Sequence, residues 1–293
     1  MILSLVIAAQ LSLAPSAPPK LGTHWLLDRV QRVLGYQNVP FRPRAAGAVN
    51  AYSIVCDAAG EVASGDCGTA CAFPADTNSW TIEFAVKTTS TADIWRTGLM
   101  AGTTTAKSVN FLPEQGGATD YAYLNGQTAS EAFTAVGYDT TYIHNANWHF
   151  YSLTYDSALD DCILYADGTQ IQAQLVCGLD DGNTSSDLWS ICNSVLDGDF
   201  LVGKITEVRV WNTVRTPTQI ANHDRCQMNC IDGGACPTGL QVYWPFIEGS
   251  GTNVDEKAVG TGTVDLTLAG TVTWDTADTP FGGWTNDSSN DCQ

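Results

Sequence analysis

Apolar and polar residues alternate along most of the chain in short runs, each closed by a turn. The clearest run is Trp80-Thr81-Ile82-Glu83-Phe84-Ala85-Val86-Lys87. Its period of two is that of a half-buried strand, so Trp80, Ile82, Phe84 and Val86 are predicted to share one face. Residues 148–155 carry the same bulk in Trp148, Phe150, Leu153 and Tyr155. Residues 162–166 and 171–176 flank Asp167-Gly168, and an Asp-Gly pair between two such runs predicts a tight hairpin. Across residues 204–211, strict alternation puts Ile205, Glu207, Arg209 and Trp211 on one face and Thr206, Val208 and Val210 on the other. That mixed pattern predicts partial burial on both sides. Residues 239–246 read as a strand at an edge or strand end, because Pro245 has no N–H to donate. The Thr-, Val- and Gly-rich residues 260–274 add two more short strands.

Helical spacing is confined to two places. After Thr23 as a cap, Trp25, Leu26, Val30, Val33 and Leu34 form one apolar stripe that Gly35 can end. Residues 216–223 read as one or two helical turns with Pro217 at the first position. Ahead of both, residues 1–9 resemble the apolar core of a signal peptide, with Ser12-Leu13-Ala14 as a small-x-small site. No Lys or Arg precedes that core, and the apolar stretch is shorter than the roughly 20 residues a membrane span needs. We read it as an arm able to add a strand to a neighbouring subunit, followed by a stiff spacer at Pro15, Pro18 and Pro19. The predicted organisation is therefore an N-terminal arm over 1–44, one β-sandwich over 45–281 with a Cys-rich loop at 223–238, and a polar tail over 282–293.

A hydrophobic fraction of 44% with 27 Gly and nine Trp excludes a disordered or coiled-coil chain and favours an all-β fold. Charge sharpens the division between arm and body. Residues 1–44 hold Lys20, Arg29, Arg32, Arg42 and Arg44 against Asp28 alone, a net of +4, which leaves −22 for the rest of a chain whose net charge is −18. Such a body repels phosphate backbones, so nucleic-acid binding is excluded, while cation binding is favoured.

The ten cysteines, Cys56, Cys67, Cys71, Cys162, Cys177, Cys192, Cys226, Cys230, Cys236 and Cys292, allow as many as five disulfides and point to an oxidising compartment or particle. A competing reading is a zinc site built from His223, Cys226, Cys230 and Cys236.

Three segments, in this order and spacing over about residues 45–225, resemble a known family. They are Ser79 to Lys87; Asn147-Trp148-His149-Phe150-Tyr151-Ser152-Leu153-Thr154-Tyr155-Asp156 with Leu164-Tyr165-Ala166-Asp167-Gly168; and residues 203–212 with Arg215-Thr216-Pro217-Thr218-Gln219-Ile220. Together they are similar to the laminin G-like, pentraxin-like branch of the concanavalin A-like lectin/glucanase superfamily. Residues 240–252 resemble an element found beside such domains. The resemblance implies an all-β, two-sheet antiparallel jelly-roll sandwich, here with an extended N-terminal arm containing one short helix. Members mostly bind glycans, other proteins or calcium. This chain departs from the family's usual acidic residue before Glu207, where it has Thr206.

Retaining glycosidases of this fold need two carboxylates about 5 to 5.5 Å apart, seen in sequence as Glu-x-Asp-x-Glu on one strand face. No such run is present, and Glu83 and Glu207 each stand alone on a strand. Neither a Gly-x-Ser-x-Gly elbow nor a phosphate loop occurs, so catalysis is not expected. Oxygen-rich loops offer calcium ligands in Asp156, Asp160 and Asp161 and in Asp180, Asp181, Asn183 and Asp187. Trp95, Tyr121, Tyr123 and Tyr138 are candidates for stacking on a sugar ring. The functional expectation is a non-enzymatic recognition protein on a virion or filament surface. Residues 1–44 would join it to copies of itself or to a scaffold protein, and the sandwich would face surface glycans or a receptor. A free secreted, calcium-dependent lectin or adhesion module is the alternative, with a glycan-active enzyme further behind.

Overall fold

The computed structural model describes residues 52–66, 78–88, 99–103, 106–112, 123–125, 132–133, 146–174, 188–193, 200–224, 226–228, 235–258, 265–280 and 285–286. The arm over 1–44, its helix over 23–34 and the tail beyond residue 286 lie outside these.

The strands are β1 (Ser53–Cys56), β2 (Val62–Asp66), β3 (Trp80–Thr88), β4 (Leu99–Thr103), β5 (Ala106–Leu112), β6 (Tyr123–Asn125) and β7 (Ala132–Phe133). They continue as β8 (His149–Asp156), β9 (Asp161–Ala166), β10 (Thr169–Gln174), β11 (Leu188–Ile191) and β12 (Gly203–Trp211). Helix α1 (Pro217–His223) follows, then β13 (Cys226–Gln227), β14 (Leu240–Trp244), β15 (Asn253–Val254), β16 (Leu266–Ala269), β17 (Thr273–Asp275) and β18 (Thr285–Asn286). One eight-stranded sheet runs β10-β9-β8-β3-β12-β1-β17, with β14 also on β12; the second runs β15-β16-β2-β11-β4-β5-β6-β7. All pairings within the two sheets are antiparallel, as the jelly-roll expectation requires. Beside them, β13 and β18 form a short parallel pair.

Alternation correctly predicts the inward face of β3. Trp80, Ile82, Phe84 and Val86 all enter the main core, with Tyr151, Leu153 and Tyr155 of β8 and Trp189 and Ile191 of β11. The rings of Trp189 and Trp244 meet edge to face across the sheets, 5.4 Å between centroids. At the predicted hairpin, Asp167 and Gly168 have φ of 49° and 73°, the paired left-handed conformation that suits a two-residue turn. A Cβ on Gly168 would lie 2.9 Å from Ala221 Cα, so this turn and α1 pack with room for glycine only.

The two-faced reading of residues 204–211 needs correction. Thr206 pairs with Ala85 and Arg209 with Glu83, so Glu207 and Val208 together oppose Phe84. This is a β-bulge, and Glu207 takes φ 57° to make it. The extra residue resets the phase: Ile205, Val208 and Val210 all point into the core, while Trp211 belongs to a separate cluster. Here β12 also changes neighbours, from β1 before the bulge to β14 after it. Thr206 Oγ1 lies in the resulting fork, 3.2 Å from Tyr52 O and 3.0 Å from Pro245 O. Only a hydroxyl or another donor can serve two carbonyls there; an ionised carboxylate could not.

Disulfide Cys56–Cys192 staples the end of β1 to the residue after β11, and so joins the sheets. Cys162 and Cys236 are also disulfide-bonded. Among the described residues no cysteine is free; Cys67, Cys71, Cys177, Cys230 and Cys292 lie outside them. Among the described residues, too, no helix is long and apolar enough to cross a membrane.

Candidate functional site

In a bare sandwich the outward residues of β3, β8, β12 and β14 would face water. Here Thr81, Glu83, Ser152, Arg209, Trp211 and Tyr243 are all buried, because the chain from Thr213 through α1 to Met228 folds back over them. Local sequence fixes that return. Thr216 caps α1 by accepting from Gln219 N while the Gln219 side chain accepts from Thr216 N, and Pro217 sits where no helical N–H is needed. Thr81 Oγ1 then ties the strand to this segment, donating to Thr213 O at 2.8 Å and accepting from Arg215 N at 2.9 Å.

Beneath the covering layer lies an ion network. Arg209 Nη2 donates to Glu207 Oε2 at 2.8 Å and Nη1 to His223 O at 3.1 Å, with Glu83 Oε2 at 3.7 Å. Tyr243 Oη and Gln227 Nε2 donate to the two Glu207 oxygens at 2.8 and 3.2 Å. Glu83 Oε2 accepts from Trp211 Nε1 at 2.9 Å and from Arg215 Nη1 at 3.3 Å. Burial pushes the Glu207 carboxyl up, while Arg209, Tyr243 and Gln227 pull it back down. Burial and the Glu207 charge hold the Tyr243 phenol well above its ordinary value, so it stays protonated and donates. The two carboxylates that looked solitary in sequence are therefore sealed and neutralised by two guanidinium groups. This arrangement can position the covering layer, but it offers neither carboxylate to a substrate.

Above the network is a cavity of about 400 Å³, lined by Trp211, Thr213, Arg215, Gln219 and the segment 235–238. The Arg215 guanidinium lies over the Trp211 ring, 3.9 Å from its centroid. Cys236 and Trp211 also belong to a second apolar cluster with Met228, Leu240, Tyr243 and Ala258, which anchors the cavity wall. Among the described residues no Asp or Glu lines the cavity.

Next to this wall, Glu256 Oε1 accepts from Tyr243 N at 3.1 Å and from Ala258 N. Burial raises its pKa to about 7. A carboxyl with a raised folded pKa contributes its full stability below the unfolded value and loses it as pH climbs through about 7. Glu256→Gln keeps the acceptor oxygen and removes the charge. It is expected to stabilise the fold at pH 8 by about 1 kcal/mol after discounting for solvent screening, with no gain at pH 4. Urea titrations at the two pH values measure this.

The other candidates fare differently. Asp156, Asp160 and Asp161 come together in the β8–β9 turn, where Asp156 Oδ1 accepts from Ala158 N at 3.0 Å and Asp160 adopts φ 55°. Among the described residues no group of three or more His, Cys, Asp or Glu could hold a metal. Asp180, Asp181, Asn183 and Asp187 lie outside them, as do Trp95, Tyr121 and Tyr138. Tyr123 opens β6, and its side chain is not described. The zinc alternative is overturned: Cys236 is in a disulfide, and His223 Nδ1 accepts from Arg215 Nη2.

Sequence reasoning missed Arg215, Trp211 and the 235–238 wall as a unit. The available signal was Trp211, an aromatic residue on the outward phase of β12, followed four residues later by an arginine.

Two antiparallel sheets enclosing one core define a lectin-like sandwich. Residues 63–221, more than half of the chain, match the laminin G model of the concanavalin A-like lectin/glucanases superfamily, and the chain belongs to that superfamily. Among solved structures it is similar to a candidate carbohydrate-binding protein from Bacteroides ovatus, at 16% identity and a TM-score of 0.57. That match covers 79% of this chain and 61% of the other, so this chain spans less than two thirds of the length of that structure. A heptameric SAP-like pentraxin from Limulus polyphemus matches at 10% identity and a TM-score of 0.49, over 79% of this chain and 98% of the pentraxin. At these identities the likeness speaks to the fold alone. No curated protein sequence matches the chain.

Proposed function

We propose that this chain is a non-catalytic glycan-recognition protein, carried on an extracellular assembly by residues 1–44. The observation that carries the recognition role is the cavity on the outer face of the first sheet. Its lining joins Trp211, held beneath the Arg215 guanidinium, to Thr213, Gln219 and Thr238, and its wall is fixed by a disulfide-bonded cysteine. A concave site that brings a few polar groups and one cation together is how a protein takes a small polar ligand such as a sugar. Superfamily membership supports the reading, as does the carbohydrate-binding description of the Bacteroides ovatus structure. The assembly role is motivated by the cationic, apolar residues 1–44 ahead of an acidic body.

The test is a glycan microarray probed with the intact chain, together with sedimentation of the same sample. Binding to a defined subset of glycans by a self-associating protein is the expected outcome. A uniformly blank array would refute recognition of glycans, and a strictly monomeric chain would refute self-assembly.

A further inference from the structure

We infer that the cavity over Trp211 is a subsite for a carboxylate-bearing sugar, gripped by the Arg215 guanidinium; the inference rests on the glycan reading above. Arg215 is only 3% exposed, yet it lines the cavity. A guanidinium has five N–H donors in a rigid fork. Among the described residues, Nη1 donates to Glu83 Oε2 at 3.3 Å, and Nη2 donates to Gln219 O at 3.5 Å and to His223 Nδ1. The Nε–H and the second Nη1 hydrogen have no partner among those residues. Stacking on Trp211 at 3.9 Å fixes the plane in which these donors lie. Donors that border a cavity can take an acceptor from a ligand, and a charged acceptor satisfies them about twice as well as a neutral one.

The surroundings select for the same ligand. The chain's net charge is −18, but among the described residues no carboxylate lines this cavity to repel an anion. A volume of about 400 Å³ is in the range of organic ligand sites and holds more than an inorganic anion. Thr213 and Thr238, both in the lining, carry hydroxyls able to pair with those of a sugar. A carboxylate fixed to a pyranose therefore meets the Arg215 fork, which Trp211 holds in place from beneath, while the sugar hydroxyls meet the polar residues of the lining.

Calorimetric titration of the full chain tests this with four probes: methyl β-D-glucuronide, its uncharged methyl ester, methyl β-D-glucoside, and the methyl glycoside of N-acetylneuraminic acid. At least one acidic sugar should bind about tenfold or more tightly than the ester and the glucoside, the size expected of one charge-assisted hydrogen bond. Comparison of the two acidic probes separates a uronic from a sialic source. Thr238→Trp fills the cavity from an exposed position without touching the ion network, and should abolish acidic-sugar binding while leaving the thermal midpoint unchanged. Arg215→Lys keeps the charge but loses the fork, and should cost about tenfold in acidic-sugar affinity; should it fail to fold, Thr238→Trp decides alone. Equal affinity for glucuronide, sialoside and glucoside, or acidic-sugar binding that survives Thr238→Trp, overturns the inference. Microarray binding without any preference for the acidic probes overturns this inference alone, whereas a blank array removes the glycan reading and the inference with it.

Discussion

Arg209→Met should destabilise the folded chain by about 3–5 kcal/mol, the range for breaking a buried ion pair from one side. The reason lies in the charge balance beneath α1. Glu83 and Glu207 oppose Arg209 and Arg215, and all four are buried. Methionine restores much of the volume, but it leaves Glu207 with Tyr243 and Gln227 and no cation, in a site where burial already pushes its pKa up. It also removes the guanidinium from above the Phe150 ring, 4.8 Å from the centroid. Adding Glu207→Gln to Arg209→Met removes the stranded charge. The double variant should therefore be more stable than Arg209→Met alone, by at least about 1 kcal/mol of coupling. Urea midpoints measure both. A single variant that loses under about 1 kcal/mol would mean that water reaches the network.

How much of this was legible in the sequence differs by level. The inward face of β3 and the Asp167-Gly168 turn follow from period-two alternation and from the turn chemistry of Asp-Gly, both of which act over a few residues. The β12 bulge escaped alternation because it depends on tertiary context: β12 must pass from β1 to β14 as its neighbour, and Glu207 accepts a left-handed backbone to do so. Nothing within residues 204–211 announces that switch.

The ion network failed to appear for a related reason. Glu83 and Arg209 stand on adjacent strands, paired in register, but they are more than 120 residues apart in the chain. A carboxylate on the outward phase of a strand ordinarily predicts a solvated face, and only the return of α1 over that face reverses the prediction. The cavity inherits this dependence, since its wall comes from 235–238 and its floor from β12. The resemblance to the lectin-like superfamily supplied the sandwich, while the site candidates read from the residues themselves were loop carboxylates and aromatic side chains, and neither reading reaches the covered sheet face.

The Cys56–Cys192 bond offers the other large effect, and one with a different physical signature. It closes a loop of 136 residues between two sheets. In the chain-entropy account, a cross-link over that separation removes enough freedom from the unfolded chain to be worth about 5 kcal/mol at 25 °C. Both sulfurs are buried in the main core, so Cys56→Ala/Cys192→Ala also loses packing near Trp189 and Ile191. The double variant should therefore lose about 5 kcal/mol or fail to fold at 37 °C. Arg209→Met acts on the folded state and should leave the denaturant slope unchanged. The disulfide variant releases the unfolded chain, exposes more surface on unfolding, and should raise that slope. Urea unfolding of the two variants side by side, followed by tryptophan fluorescence, separates the mechanisms. A disulfide variant with an unchanged slope and a loss of under about 1 kcal/mol would show that the sheets are held together by their apolar core alone, with the staple contributing little beyond it.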